Sequence, residues 1–306
     1  MLKNQLACEL HFVTKEKYSS LLTSNPYLDK VWSFKKDISE IQKNLGFEKF
    51  DLLVDLHKNL RSYRLALSLG IKTIRYEKLN VDKFLHIKLG LNRLTGKHII
   101  DRYLESISQL GVKDDGLGMD AFYSSNVDEL KKKFDLQKEF CTIVLGANYQ
   151  TKRVPINLTN VLVANRSQTQ FVLIGGKDVE EAGVKISADK DNVVNLCGKL
   201  SLDQSTAIID LSNLVISGDT GMMHIAAALK KPIISIWGST HPLLGMYPYY
   251  GKKEKDLNIS LVNEELKCNP CSKIGVEHCP KSHFKCMMDH SEKRLIEVFD
   301  RQKSTV

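Results

Sequence analysis

No apolar run in this chain approaches the ~20 residues a membrane-spanning helix needs. Met1-Leu2-Lys3-Asn4-Gln5 opens no apolar segment of the kind that marks secretion. The expectation is therefore a cytoplasmic protein. Low-complexity tracts and repeats of about 20–50 residues are missing as well, which sets aside solenoids and propellers. Zinc-finger spacing with paired histidines, RNP-type aromatic segments and basic-region heptads are all absent, so nucleic acid is not an expected partner.

The chain has 306 residues, 42% of them hydrophobic and 26% charged, which is ordinary for a folded protein. At roughly 100–200 residues per domain, the length predicts two domains. Forty-four Lys+Arg against 36 Asp+Glu give a net charge of +8, which favours acidic partners, whether nucleic acid, phosphorylated substrates or an anionic membrane face, without choosing among them. Lys131-Lys132-Lys133, the longest basic run, reads as a solvated helix face.

Short apolar runs alternate with helix-like stretches. Leu10–Thr14, Phe50–Leu56, Cys141–Gly146, Phe171–Gly176, Asn192–Leu196, Leu214–Ser217 and Ile233–Trp237 predict strands, with an amphipathic helix from Leu60 to Leu69 stopped by Gly70. Apolar on both faces and separated by helices, such strands belong to parallel sheets covered on both sides. The polar stretch from Ser124 to Glu139 predicts a boundary between two α/β domains, residues 1–135 and 136–306. A cleft between them is the default binding site.

Three segments carry chemistry. In Leu214–Leu229 a strand ends in Gly218-Asp219-Thr220-Gly221 and a helix follows at once. Asp219 or Thr220 can cap that helix, Gly221 permits close approach of a ligand backbone, and the helix N-terminus suits a diphosphate. His224 lies in the first turn. The bland alternative, a plain cap with a core-facing histidine, accounts for less of the pattern. Gly146–Pro155 places Lys152-Arg153 after a strand, where phosphate oxygens are met, although such pairs are often merely solvated. In Asp51–Arg64, polar residues crowd a strand end, and Arg61 and Arg64 stand one helical turn apart, able to grip an acidic acceptor. Taken alone, those arginines are as readily surface residues.

With these segments the chain resembles glycosyltransferase family 9, the ADP-heptose:lipopolysaccharide heptosyltransferases, from about Leu6 to Ile296. The most specific stretch runs from Gly218 through His224 to Ala228, continuing to Lys231-Pro232 and Trp237-Gly238. Asp55–Ser62, Lys152–Pro155 and a cysteine-rich tail ending Cys286-Met287 support it. The resemblance implies two Rossmann-like domains of the GT-B type and inverting transfer of a heptose from ADP-heptose to the lipopolysaccharide inner core, without a cofactor. By the same resemblance Lys152, Asp219, Thr220, Gly221 and His224 bind the donor, with Glu180 or Glu181 on the nucleotide. Asn59, Arg61 and Arg64 face a phosphorylated, lipid-linked acceptor, and contact with the anionic inner membrane is peripheral.

The chain departs from the family pattern in places. His57-Lys58 replaces a frequent Gln-Gly, and Val154 a frequent Trp. Family members also begin with a strand and a glycine loop bearing the aspartate expected as general base. Here residues 1–5 read as the end of the following helix, so a unit of about 30 residues is expected to be missing. The N-terminal domain is expected to be incomplete and the base to lie upstream of Met1. Asp51 and Asp55 are not nominated in its place. Alternatives are a relative that binds nucleotide-sugar without transfer, and a GT-B enzyme such as a nucleotide-sugar epimerase.

Four of the seven cysteines, Cys268, Cys271, Cys279 and Cys286, cluster with His278 and His283 in a loop over residues 268–286. Their number suits zinc, but irregular spacing together with Pro270 and Pro280 favours a reduced loop beside the donor, without metal. Cys8, Cys141 and Cys197 read as small core residues.

Overall fold

A computed structural model describes residues 1–252 and 257–304. The chain forms two compact units. Met1–Asn80 and Lys97–Gly116 make one; Val81–Gly96 and the chain from Leu117 onward make the other.

The first unit holds helix α1 (Leu2–Gln5), strands β1 (His11–Lys15) and β2 (Lys30–Phe34), α2 (Ser39–Phe47), β3 (Leu52–Asp55), α3 (Leu60–Leu69) and β4 (Lys72–Arg75). Helix α4 (Asn80–Leu89) passes to the second unit, and α5 (Ile99–Ile107) returns to the first. Strands β1 and β2 pair in parallel, as do β3 and β4, and among the described residues no strand links the two pairs. Their residues are mostly half-buried. Phe34, Ile38, Leu45 and Leu65 form the local core. Helix α3 starts where its sequence says it should: Asn59 Oδ1 accepts from Ser62 N–H at 3.0 Å, Ser62 Oγ accepts from Asn59 N–H at 3.0 Å, and Gly70 closes the helix at φ 63°.

The second unit comprises α6 (Val127–Phe134), β5 (Phe140–Val144), α7 (Ile156–Asn165), β6 (Gln170–Ile174), α8 (Glu180–Ser187), β7 (Val193–Asn195), α9 (Leu202–Leu211), β8 (Leu214–Gly218), α10 (Gly221–Ala228), β9 (Ile233–Ile236), β10 (Asn258–Leu261), α11 (Lys285–Met288) and α12 (Glu292–Lys303). Its parallel sheet has the order β10-β9-β8-β5-β6-β7. Strands β5, β6, β8 and β9 are buried throughout, as continuous apolar runs between two helical layers must be. Cys141 and Cys197 are part of that core, and burial pushes both thiols up to about 12.

The boundary expected at 135/136 falls earlier, at Gly116/Leu117. The polar stretch that suggested it is a docked helix with a wet outer face. Leu130 of α6 is buried in the core of the second unit. Ahead of α6, Tyr123 donates to Asp210 at 2.6 Å, and Ser124 and Ser125 donate to Asp203, their N–H groups at 2.9 Å each.

Candidate functional site

Strand order reverses between β5 and β8: the chain leaves β5 toward β6 on one side and returns to β8 on the other. Loops diverge at the carboxyl ends of such neighbours, leaving a crevice suited to a ligand. The turns after β5 and after β8 are two of the three segments that the sequence singled out, and they meet there. Lys152 ends a single 3-10 turn, Gln150–Lys152, and its Nζ lies 2.9 Å from Asp219 Oδ2. Thr240 Oγ1 donates to the same oxygen at 2.8 Å. The pair is nearly shielded from water, with 13% and 8% of the two side chains exposed.

Thr220 caps α10, its Oγ1 accepting from Met223 N–H at 3.3 Å. Gly221 opens the helix with nothing within 4 Å of where a Cβ would stand. The first N–H groups of the helix have no intrahelical acceptor and stand at the positive end of the helix dipole. Gly218 is the opposite case: a Cβ there would sit 2.0 Å from the Lys152 carbonyl oxygen. Burial pushes the His224 pKa down, with the Asp219 carboxylate opposing and the Lys152 ammonium reinforcing.

The cysteine-rich loop forms one wall. Thr151 Oγ1 donates to the Val276 carbonyl at 2.5 Å, accepts from Val276 N–H at 3.1 Å and lies 2.8 Å from Ser239 Oγ. The N–H groups of Cys271 and Ser272 both donate to the Ser239 carbonyl at 3.1 Å. Gly275 packs so close that a Cβ would stand 2.6 Å from Lys152 Cδ. Among the described residues no three His, Cys, Asp or Glu side chains are arranged to hold a metal ion. The thiols make other contacts: Cys271 to the Ser239 carbonyl at 3.8 Å, and Cys268 to His283 at 3.7 Å. Burial acts to raise the Cys279 pKa, but the N–H groups of Phe284, Lys281, His283 and Ser282 hold it below its ordinary value.

The two glutamates part company. Glu181 pairs with Lys185 at 2.7 Å on the exposed side of α8. Glu180 turns its carboxylate toward Gly198, just past the end of β7. Thr151, Ser239 and Thr240 carry much of the geometry and were missed by sequence reasoning. The signal was the small-polar run Ser239-Thr240 at the end of β9, the strand beside β8.

In the first unit, Asp55 at the end of β3 organises the turn before α3. Burial acts to raise its pKa, but the N–H groups of Lys58 and His57, the Ser62 hydroxyl and Arg75 together hold it below the usual carboxylate value. Asn59 spends its side-chain oxygen on the helix cap. Arg61 lies 5.9 Å over the Phe34 ring, while Arg64 is exposed. Both arginines help the Ser39 N–H and hydroxyl to lower the Asp37 pKa, which places them on one side of the unit.

The sequence model described as glycosyltransferase family 9 (heptosyltransferase) matches residues 38–277. Lipooligosaccharide heptosyltransferase 2 of Campylobacter jejuni (serotype O:2) is 30% identical over 159 residues, covering 50% of this chain and 47% of the relative. The chain thus spans about half of that relative's length. Among solved structures, a family 9 glycosyltransferase from Veillonella parvula superposes with a TM-score of 0.74 at 20% identity, covering 97% of this chain and 89% of that one. The ADP-heptose heptosyltransferase II of Escherichia coli does so with 0.71 at 17%, covering 99% and 92%. These likenesses show the α/β fold with parallel sheets.

Proposed function

The chain belongs to glycosyltransferase family 9, and from that premise we propose that it transfers a heptose, with inversion, from ADP-heptose to the lipopolysaccharide inner core. The observation that carries this is the Lys152–Asp219 pair beside the open N-terminus of α10. A diphosphate seated over Gly221 and Thr220 would meet N–H groups and a helix dipole on one side and the Lys152 ammonium on the other. Charge builds up on the departing nucleotide as the glycosidic bond breaks, and a fixed cation beside it stabilises the transition state more than the ground state. Asp219 and His224 then face the sugar, and Glu180, not the paired Glu181, faces the nucleotide.

Arg61 and Arg64 are assigned to phosphates of the acceptor. Asp55 is not assigned the acceptor proton, since four donors already hold its carboxylate. The +8 charge of the chain suits work beside the anionic cytoplasmic leaflet.

Two measurements on the full chain test this reading. Calorimetry should show ADP binding that Lys152→Met weakens, and incubation of ADP-heptose with heptose-deficient lipopolysaccharide should release ADP. Binding without ADP release would identify a nucleotide-sugar binder without transferase activity. A sugar altered with no acceptor present would identify an epimerase. Absence of ADP binding would refute the donor site.

A further inference from the structure

Helix α4 and the turn after it present large apolar side chains to solvent. Val81, Phe84 and Leu89 are 70%, 58% and 62% exposed, and Leu91, just past Gly90, is 50% exposed. At about 100° per residue, Val81, Phe84 and Lys88 fall within roughly 60° of one another, with Leu89 flanking them. The opposite side carries the inward residues, Lys83 among them at 8% exposure. A soluble surface seldom gathers four such residues within eleven positions without using them. The charge around them is mainly positive: Lys83, Lys88 and Arg93 against Asp82 in residues 81–96, with Lys88 and Arg93 exposed among the apolar residues.

We infer that this face docks on an anionic lipid bilayer. Val81, Phe84, Leu89 and Leu91 enter the boundary between headgroups and acyl chains, and Lys88 and Arg93 meet the lipid phosphates. Helix α4 carries apolar residues on more than one side, and the fold leaves Val81, Phe84 and Leu89 bare. A second copy of the chain is the poorer occupant. A two-fold contact lays the same patch against itself, bringing Lys88 and Arg93 toward their own copies. The inference rests on exposed side chains of α4 and is independent of heptose transfer, which its assay does not read.

The test is co-sedimentation of the full chain with vesicles of phosphatidylcholine alone, and of phosphatidylcholine with roughly a third phosphatidylglycerol. Binding is expected only to the anionic vesicles, fading as salt is raised. Lys88→Gln with Arg93→Gln should lower partitioning about 30-fold, at about fivefold per charge. Phe84→Gln with Leu89→Gln should lower it at least about tenfold. All four side chains are exposed, so melting temperatures should not change, which separates lost docking from lost folding. Absence of wild-type binding to anionic vesicles, or variants that bind as wild type does, would overturn the inference. So would a wild-type dimer in light scattering that Phe84→Gln with Leu89→Gln converts to monomer.

Discussion

Replacing Gly218 with alanine tests the site's construction most directly. The added Cβ would stand 2.0 Å from the Lys152 carbonyl oxygen and 3.2 Å from its carbon. Gly218 is not left-handed, so the cost is steric alone. Restoring an ordinary contact of roughly 3.5 Å moves the Gln150–Lys152 turn by about 1.5 Å. That is enough to break the 2.9 Å contact between Lys152 and Asp219. Overpacking of this kind costs about 2 kcal/mol. A unit of this size should then melt about 4–8 °C lower. Displacing the Lys152 ammonium by more than an ångström should lower ADP affinity by about tenfold, or 1.4 kcal/mol, comparable to removing it. Gly221→Ala is the internal control, because its Cβ meets nothing within 4 Å. Alanine there should leave melting unchanged or raise it by the helix preference, up to ~1 kcal/mol, while weakening ADP binding by occupying space kept for the diphosphate. Scanning calorimetry and titration calorimetry read both quantities. Wild-type melting and affinity in Gly218→Ala, or wild-type affinity in Gly221→Ala, would refute the reasoning.

Other outcomes follow from the same contacts. Lys152→Met leaves Asp219 with Thr240 as its remaining partner, so melting should fall by several degrees, and ADP binding by at least about tenfold, or 1.4 kcal/mol. An arriving diphosphate should raise the depressed pKa of His224. ADP binding would then take up a proton and tighten as pH drops below about 6.5; equal heats in buffers of different ionisation enthalpy would contradict this. Asp55 and Asp203 both have lowered pKa values, each by hydrogen bonds that outweigh burial. Their stabilisation is present above the unfolded value near 3.8 and is lost as pH falls through the lower folded values, so urea midpoints should drop steeply below about pH 4. Asp203→Asn should make that slope shallower in the second unit, leaving the share of Asp300, which Arg166 holds below its ordinary value. Thr151→Val leaves the Val276 N–H without its partner and should cost about 1–3 kcal/mol; a melt like the wild type's would show the loop held by other contacts.

The sequence was most legible where a residue's job is local. Gly70 announced its helix end and the buried strands their two-sided burial, and the cap left open between Asp219 and Thr220 falls to Thr220, whereas Asn59, read only as an acceptor contact, caps α3. Short strands with polar ends were harder to see. Lys72–Arg75 and Asn258–Leu261 alternate too briefly to stand out, and Lys30–Phe34 is flanked by lysines and only half-buried. The domain boundary was misplaced because polarity in α6 reflects its outer face, whereas Leu130 decides where it packs. Within the site, the meeting of Lys152 with Asp219 could be expected from the strand ends, but not the part of Thr151, whose hydrogen bonds depend on a loop 125 residues away.

That separation bears on the order of folding. Contacts so distant in sequence carry a large loop-closure cost, and they come into register only after β5, β8 and β9 have aligned. Closure of the cysteine-rich loop over Lys152 therefore belongs to the native side of the folding barrier. A nucleotide held there would slow unfolding while leaving the refolding rate almost untouched. In amide exchange, Val276 should open long before the strands do, at a free energy well short of global unfolding. Bound ADP should close that gap.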